Sequence, residues 1–493
     1  MILRNFLCVS SALALGACVV GPDYAPPTAA VPAGFAHGNA DGRDASGTTV
    51  DLARWWESFG DPQLNALVER ALADNPTMAI AASRVRQARL QEIVARAEGK
   101  PSLGASSNVS RIDFSRNAGF SSLARQFSGG GSGDGGSGGV ALPGGGITTY
   151  AVGFDASWEL DVFGGARRGV QAATATTQAA EWNRRDAAIT LVAEVVDAYF
   201  ALRLDQQQII LAQNELAAHG RLAEIAGHTA SVGLTPSVDI LRARGDILAT
   251  KARLDPLRAD MDIRLHALAL LLARPPESFN EQLTTVSAAQ AAVPNVPIGL
   301  PSDIVRRRPD IRAAERRLAA ATADIGVAVA DLYPRFNLTS LVELLSSSLG
   351  NIFSSNSLQF VAGGAVQFPV IDWGRGKARV GLRREDREQA YVEYQSVVLG
   401  ALRDVADSLA RIESERRRNS TLKQALDDLE KQLHAAQAQY RAGISAQSPV
   451  LAAQIAMFEA EQQLATSDAS LRQLTGGLFK AVGGGWSEIE VAR

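Results

Sequence analysis

Two stretches of this chain repeat each other at a fixed offset, and that duplication limits its possible folds more than any local signal. Pro309 lies 233 residues after Pro76, and the same shift pairs Ile311 with Met78, Ala314 with Ala81, Leu318 with Val85, Ala321 with Ala88 and Pro334 with Pro101. Further along the shift becomes 210: Trp158 falls on Phe368, Gly164 on Gly374, Val170 on Val380, Val195 on Val405, Gly233 on Gly443 and Leu241 on Leu451. The change from 233 to 210 leaves the first copy 23 residues longer between these two stretches. A glycine- and serine-rich tract from about Phe114 to Gly146 supplies the excess. One unit has been used twice, so each copy should build the same elements in the same order.

Each copy opens with a helix-period pattern. In the first, Asp61 and Pro62 supply an N-cap and an N1 proline, and the pattern runs to about Glu98 with a break at Asn75-Pro76. In the second, Pro301–Thr339 passes from helix period directly into strand period. Leu103, Ala105 and Val109 alternate weakly after Gly99-Lys100-Pro101. From Tyr150 the alternation is clean, with Tyr150, Val152, Phe154, Ala156, Trp158, Leu160 and Val162 on one face and Ala151, Gly153, Asp155, Ser157, Glu159 and Asp161 on the other. Leu358, Phe360, Ala362, Gly364, Val366, Phe368 and Val370 repeat it 210 residues on. Very long helical patterns come next, about Gly165 to Ala230 and about Arg375 to Ala442, each roughly 100 Å at 1.5 Å per residue. In the first, Ile189, Val192, Val195, Val196, Tyr199 and Leu202 recur at the 3–4 spacing of a packed seam. Short turns around Gly233 and Gly443 reverse the chain into return helices of about 236–273 and 449–475.

Composition fits extended helices better than several globular domains: 493 residues with 44 Gly, 6% aromatics and long Ala/Leu/Arg/Gln/Glu tracts. A net charge of −3 gives no basic field for nucleic acid. The two cysteines both lie in the first eighteen residues, which leaves nothing for a disulfide or a Cys-based zinc site, and five scattered histidines make a poor metal set. No constellation of an enzyme is present, and we expect neither cofactor nor metal. Arg4, the apolar run Phe6 to Leu15 and the small residues before Cys18 read as a secretion signal. Leu15-Gly16-Ala17-Cys18 looks like a lipobox, with Cys18 acylated and becoming the mature N-terminus. The expected organisation is a signal peptide over 1–17, a linker over 18–54, a first repeat over 55–300, a second over 301–480 and a tail over 481–493.

Strands with one greasy face in a secreted, lipid-anchored chain fit either half of a soluble sandwich or part of a membrane barrel. In a bilayer no sheet edge can face lipid, so a spanning sheet must close. Four strands cannot close alone, since outer-membrane barrels need at least about eight. Two, three or more copies must pool them, and three give about twelve strands. The long helices would line up as a second tube beneath.

Several motifs together carry a resemblance. They are Arg308-Pro309-Asp310-Ile311 with Ala314-Glu315, Ala330-Asp331-Leu332-Tyr333-Pro334, Trp158-Glu159-Leu160-Asp161-Val162-Phe163-Gly164 and the two Gly-containing turns. With them the chain resembles the TolC-like outer-membrane factors of tripartite efflux pumps, in particular the nodulation-type lipoprotein branch, over Trp55 to about Phe479. The resemblance implies a homotrimer with a twelve-stranded β-barrel in outer-membrane lipid and a periplasmic α-helical barrel. It also implies docking on a periplasmic adaptor and an inner-membrane RND-type transporter, and passive export of small toxic solutes. By position, Asp239 matches an acidic constriction residue at the periplasmic gate, and Tyr440 and Arg441 match groups that tie the helix pairs closed. Asp239 also suits a helix N-terminus as a dipole partner. After the second turn, where relatives often carry aspartates, this chain has Pro449, Ala452 and Ala453.

Tyr150, Val152, Phe154, Trp158, Phe360 and Phe368 are the expected lipid-facing residues. Trp158, Trp373 and Tyr150 fit an aromatic belt, and ordinary packing of strand ends fits them equally. Matches to nucleophile-elbow and dinucleotide-loop patterns within 131–139 lie in low-complexity sequence and carry no weight. Arg306-Arg307-Arg308 reads as an ion-paired helix start. A TolC-like conduit for protein secretion and a periplasmic coiled-coil structural or adaptor lipoprotein are the alternative functions.

Overall fold

The structure is a computed structural model that describes residues 19–28, 31–36, 51–112, 147–233, 237–279, 283, 292–299 and 301–486. Cys18, the Gly/Ser tract, Leu234-Thr235-Pro236 and the last seven residues of the expected tail lie outside them. The chain divides into two compact units, one drawn from Met1–Tyr24, Leu90–Thr174 and Ala320–Arg387, the other from Ala25–Arg89, Ala175–Ala319 and Glu388–Arg493. Each unit takes residues from both sequence copies.

The elements keep the duplicated order. After a 3₁₀ helix at Leu52–Phe59 come α1 (Pro62–Asp74), α2 (Pro76–Glu98), β1 (Ser102–Ile112), β2 (Ile147–Leu160), α3 (Gly165–Ser231) and α4 (Ser237–Leu271). The second copy gives α5 (Pro301–Arg307), α6 (Pro309–Ala330), β3 (Arg335–Ser346), β4 (Leu358–Gln367), α7 (Arg375–Arg441) and α8 (Ser448–Ala481). Helices α3 and α7 are each 67 residues long, and both ends of α7 are those of α3 raised by 210. Helix α8 continues to Ala481, beyond the expected end near residue 475 before the Gly476-Gly477 pair. Burial overrides the weak helix propensity of Gly476. A Cβ at Gly476 would stand 3.1 Å from Val196 Cγ1, so the glycine admits the neighbouring helix.

In the first unit the four strands form one antiparallel meander, β1-β2-β3-β4. Asp161 starts α3 directly after β2 by accepting from the amides of Ala166 and Arg167, both at 3.1 Å, and Asp372 serves α7 by accepting from Gly374 (2.9 Å) and Gly376 (2.7 Å). Gly164 and Gly374 turn the chain there at φ of 82° and 84°, a region open to glycine at little cost. Part of the expected linker is pinned at this junction. Arg168, buried, donates to the carbonyls of Val20 and Gly21, each at 3.2 Å, and to Asp23 Oδ1 at 2.8 Å. A Cβ on Gly21 would lie 2.5 Å from Gly326 Cα, so the two backbones touch.

In the second unit, the seam read from the sequence is the core. Ile189 is buried outside the main cluster, while Val192, Val195, Val196, Tyr199 and Leu202 pack with Trp55, Trp56, Phe59, Leu64, Leu265, Leu268 and Phe479. Trp55 stacks on Phe479 at 4.9 Å. Asp61 is buried and caps α1 by accepting from Gln63 N (2.9 Å) and Leu64 N (3.3 Å) while also accepting from Tyr199 Oη at 2.5 Å. Of the arginine triplet, Arg306 pairs with Asp303 at 2.8 Å. Arg308 makes a bidentate pair with Asp310 (3.0 and 2.7 Å), donates to Ala481 O at 3.1 Å and lies 3.5 Å from Asp404. The Arg-Pro-Asp motif is thus a clasp joining the start of α6 to α7 and to the end of α8.

These contacts set two expected outcomes. Asp61→Ala removes the cap, worth about 0.5–2 kcal/mol, and orphans the Tyr199 hydroxyl at about 1–3 kcal/mol; a melt of the purified protein in detergent should fall by several degrees, with Asp61→Asn falling less. Asp205 lies in α3 with its side chain 13% exposed and Arg264 only at 3.8 Å. Burial, opposed by Arg264 and aided by Asp260, pushes its carboxyl up to about 6. The folded state therefore binds the proton more tightly than the unfolded one, and this group's contribution to stability falls as pH rises between about 4 and 6. Asp205→Asn should stabilise at pH 7.5 by roughly 2–3 kcal/mol, with the gain vanishing below about pH 4.

Candidate functional site

Two regions bear on function, the sheet and the pair of helical turns. Register decides the character of the sheet. β1 sets Ala105 opposite Phe154 and Val109 opposite Tyr150; β2 sets Phe154 opposite Val342 and Trp158 opposite Leu338; β3 sets Val342 opposite Phe360 and Leu344 opposite Leu358. Directly paired residues share a face, so one mainly apolar surface runs across all four strands. Ser102, Asn108, Asp155, Asn337, Thr339, Glu343, Gln359 and Gln367 lie on the opposite face, with Leu341, Leu345 and Val361 interspersed. Nothing in the described chain covers the apolar face: Phe154 is 57% exposed and Phe360 67%. Of the expected lipid-facing residues, Tyr150, Val152, Phe154, Trp158 and Phe360 share this face. Phe368 does not sit in a strand, because β4 ends at Gln367 opposite Arg335. The residue that would pair with Phe368 is Pro334, which has no N–H to donate. Val162 and Val370 also fall outside the strands.

Trp158 donates its indole N–H to Gly99 O at 3.2 Å, and Phe163 stacks on Tyr333 at 4.5 Å. These contacts and the Asp161 cap are legible in the sequence only as the motif around Trp158 to Gly164. Their partners, Gly99 and Tyr333, are set by strand pairing.

The turns sit at the far ends of the 67-residue helices. Gly233 has φ of 76° and Gly443 φ of 71°. The second is a Schellman closure, with Gly443 N bonded to Tyr440 O and Ile444 N to Gln439 O, both at 3.0 Å. Asp239 lies half-buried in the first turn of α4. Tyr440 is 45% exposed, and Arg441 is the last residue of α7. Among the described residues none of these three side chains makes a hydrogen bond or ion pair within one chain, so the structure does not join them to each other. What does join the two helical hairpins lies nearer the core: buried Glu215 of α3 accepts from Arg253 of α4 and, at 3.1 Å, from Gln462 of α8, and Gln208 donates to Thr466 at 3.2 Å. Sequence reasoning passed over these residues, since a lone polar position in a long helix carries no signal of its partner.

Among the described residues no group of three or more His, Cys, Asp or Glu could hold a metal ion, and no helix is long and apolar enough to cross a membrane.

The model of the family described as outer membrane efflux protein matches residues 67–274 and 300–484. Nodulation protein T of Rhizobium leguminosarum bv. viciae is 29% identical over 97% of this chain and 93% of its own length. The probable outer membrane lipoprotein SilC of Salmonella typhimurium is 30% identical over 98% of this chain and 99% of its own. Among solved structures, the outer-membrane channel OprN superposes with a TM-score of 0.81 at 30% identity, covering 95% of this chain and all of that one. The open-state outer-membrane channel MtrE of Neisseria gonorrhoeae gives 0.79 at 28% identity, covering 95% and 99%. The chain belongs to the outer membrane efflux protein family and is an outer-membrane efflux channel component.

Proposed function

We propose that three copies of this chain close their sheets into one twelve-stranded barrel in the outer membrane, anchored by acylation at Cys18. The helical hairpins then form a periplasmic conduit for small toxic solutes delivered by a periplasmic adaptor and an inner-membrane RND-type transporter. The observation that carries this reading is the exposed, mainly apolar face running through the register of all four strands, with the outer edges of β1 and β4 both unpaired among the described residues. In water that face has no cover, and in lipid those edges have no hydrogen-bond partners. Closure with further copies satisfies both. In a meander of four strands β1 and β4 run antiparallel, so head-to-tail addition of copies continues the same ladder. The chain itself performs no chemistry in this role, and energy comes from the inner-membrane partner.

At the turns, threefold symmetry converts each side chain into a ring. Three Asp239 carboxylates narrow the entrance and favour cations, while Tyr440 and Arg441 hold the helix ends against neighbouring groups. With Pro449, Ala452 and Ala453 past the second turn, Asp239 carries the acidic charge of this gate.

Native mass spectrometry of the detergent-extracted protein should give three chains, and the same material should conduct in planar bilayers. A non-conducting monomer would reject the channel. Asp239→Ala should raise the resting conductance and weaken cation preference, at a cost to helix stability of no more than about 0.3–1 kcal/mol; an unchanged closed-state conductance removes Asp239 from the gate.

A further inference from the structure

The two copies pair their own strands in one and the same register. Ser102 stands opposite Ser157 in the first hairpin and Arg335 opposite Gln367 in the second. Raising Ser102 by 233 gives Arg335, and raising Ser157 by 210 gives Gln367. The sequence offsets therefore act as symmetry operators on the sheet.

One strand contact in the chain has no counterpart there: β2 of the first copy on β3 of the second. Beyond Ser157, the last residue paired to β1, β2 runs on to Leu160 because β3 supplies Leu338, Asn337 and Phe336 as partners. Strand β4 stops at Gln367, the equivalent of Ser157, and the next few residues are bare. Val370 is 82% exposed, Ile371 75% and Trp373 96%. Trp373 also holds φ at 57°, a left-handed conformation that a bulky residue keeps only where its surroundings enforce it.

Applying the same operators to the β2–β3 contact generates the missing one. Leu160 opposite Phe336 becomes Val370 opposite Leu103; Trp158 opposite Leu338 becomes Phe368 opposite Ala105; Ala156 opposite Ser340 becomes Val366 opposite Ser107. The stacked pair of Phe163 on Tyr333 becomes Trp373 beside Lys100. We propose that β4 of one copy pairs with β1 of the next in this register, that Phe368–Val370 is the end of β4 formed only in the assembly, and that Trp373 covers Lys100 of the neighbouring copy. The proposal rests on the trimer reading above and adds its register and its closing contact.

Three features not used in generating the register agree with it. It lays Val366, Phe368 and Val370 beside Ser107, Ala105 and Leu103, which stand on the apolar face of β1; a slip of one residue would set apolar against polar. It also gives Leu103, 74% exposed, its cover, and puts a cation within reach of an indole ring that is 96% exposed among the described residues. Pro369, which lacks an N–H, falls opposite Gly104 and costs this ladder at most one bond.

Cysteine cross-linking reads the register. Gln367→Cys falls opposite Ser106→Cys of the next copy, within the Cα span of about 4.4–6.8 Å that a disulfide needs, whereas Gly104→Cys or Asn108→Cys lies roughly 7–8 Å off along the diagonal. Expressed in the full-length protein and oxidised in the outer membrane, the 367/106 pair should give linked trimers in far greater yield than 367/104 or 367/108. A trimer by native mass in which 367/104 or 367/108 links best overturns the register and leaves the trimer standing. A monomer that links in no pair overturns both. Trp373→Ala and Lys100→Ala should each speed dissociation of the detergent-extracted trimer roughly fivefold, and the double variant should be no worse than either; additive effects, or none, reject the Trp373–Lys100 contact.

Discussion

A sheet that is apolar on one side and open at both edges is unstable in every solvent unless it finds more of itself. Water punishes the exposed face, on the order of 25 cal/mol for each Å² of apolar surface, and lipid punishes each unpaired N–H and C=O by several kcal/mol. The register of the four strands, which gathers Phe154, Val342 and Phe360 onto one surface, creates this dilemma within a single chain. The proposed assembly is thus a consequence of pairing geometry, and in that trimer the long helices inherit their threefold arrangement from it.

Precision at the junctions between strands and helices matters because errors there multiply along a helix of 67 residues. Each long helix starts on an aspartate that caps its first amides, Asp161 or Asp372, and on a glycine with positive φ. The first junction is further fixed by the segment after Cys18, which Arg168 holds through two carbonyls and one carboxylate. The chain that follows the proposed lipid anchor is thereby held at the point where strand becomes helix. Rigid definition at this level lets the turns around Gly233 and Gly443 remain sparsely bonded, as the proposed gate requires.

Much of the fold is readable from residue patterns, and the failures have common physical causes. The apolar seam from Ile189 to Leu202 declares itself by periodicity, and all six of its residues are buried. The break at Asn75-Pro76, the cap at Asp61 and the turns at both glycines come from local stereochemistry. The end of α8 does not, because Gly476 is tolerated for the close approach of Val196, a neighbour distant in sequence. Alternation alone assigns Phe368 to a strand, yet a strand extends only as far as another chain segment offers partners. The residues after Cys18 read as linker because their composition is that of a linker; what orders Val20 to Asp23 is a buried guanidinium 145 residues away or more.

The sequence by itself determined the duplication, the identity and order of the elements, the two faces of each strand and the places where the chain reverses. These depend on periodicity, capping and glycine geometry, which act over a few residues. Only the tertiary structure decided which strand lies beside which and in what register, that Arg308 clasps three helices, that Glu215 ties one hairpin to the other, and that the end of β4 is left without a partner. Those outcomes depend on contacts between segments up to hundreds of residues apart, and no local pattern encodes the position of a partner that only the fold brings near.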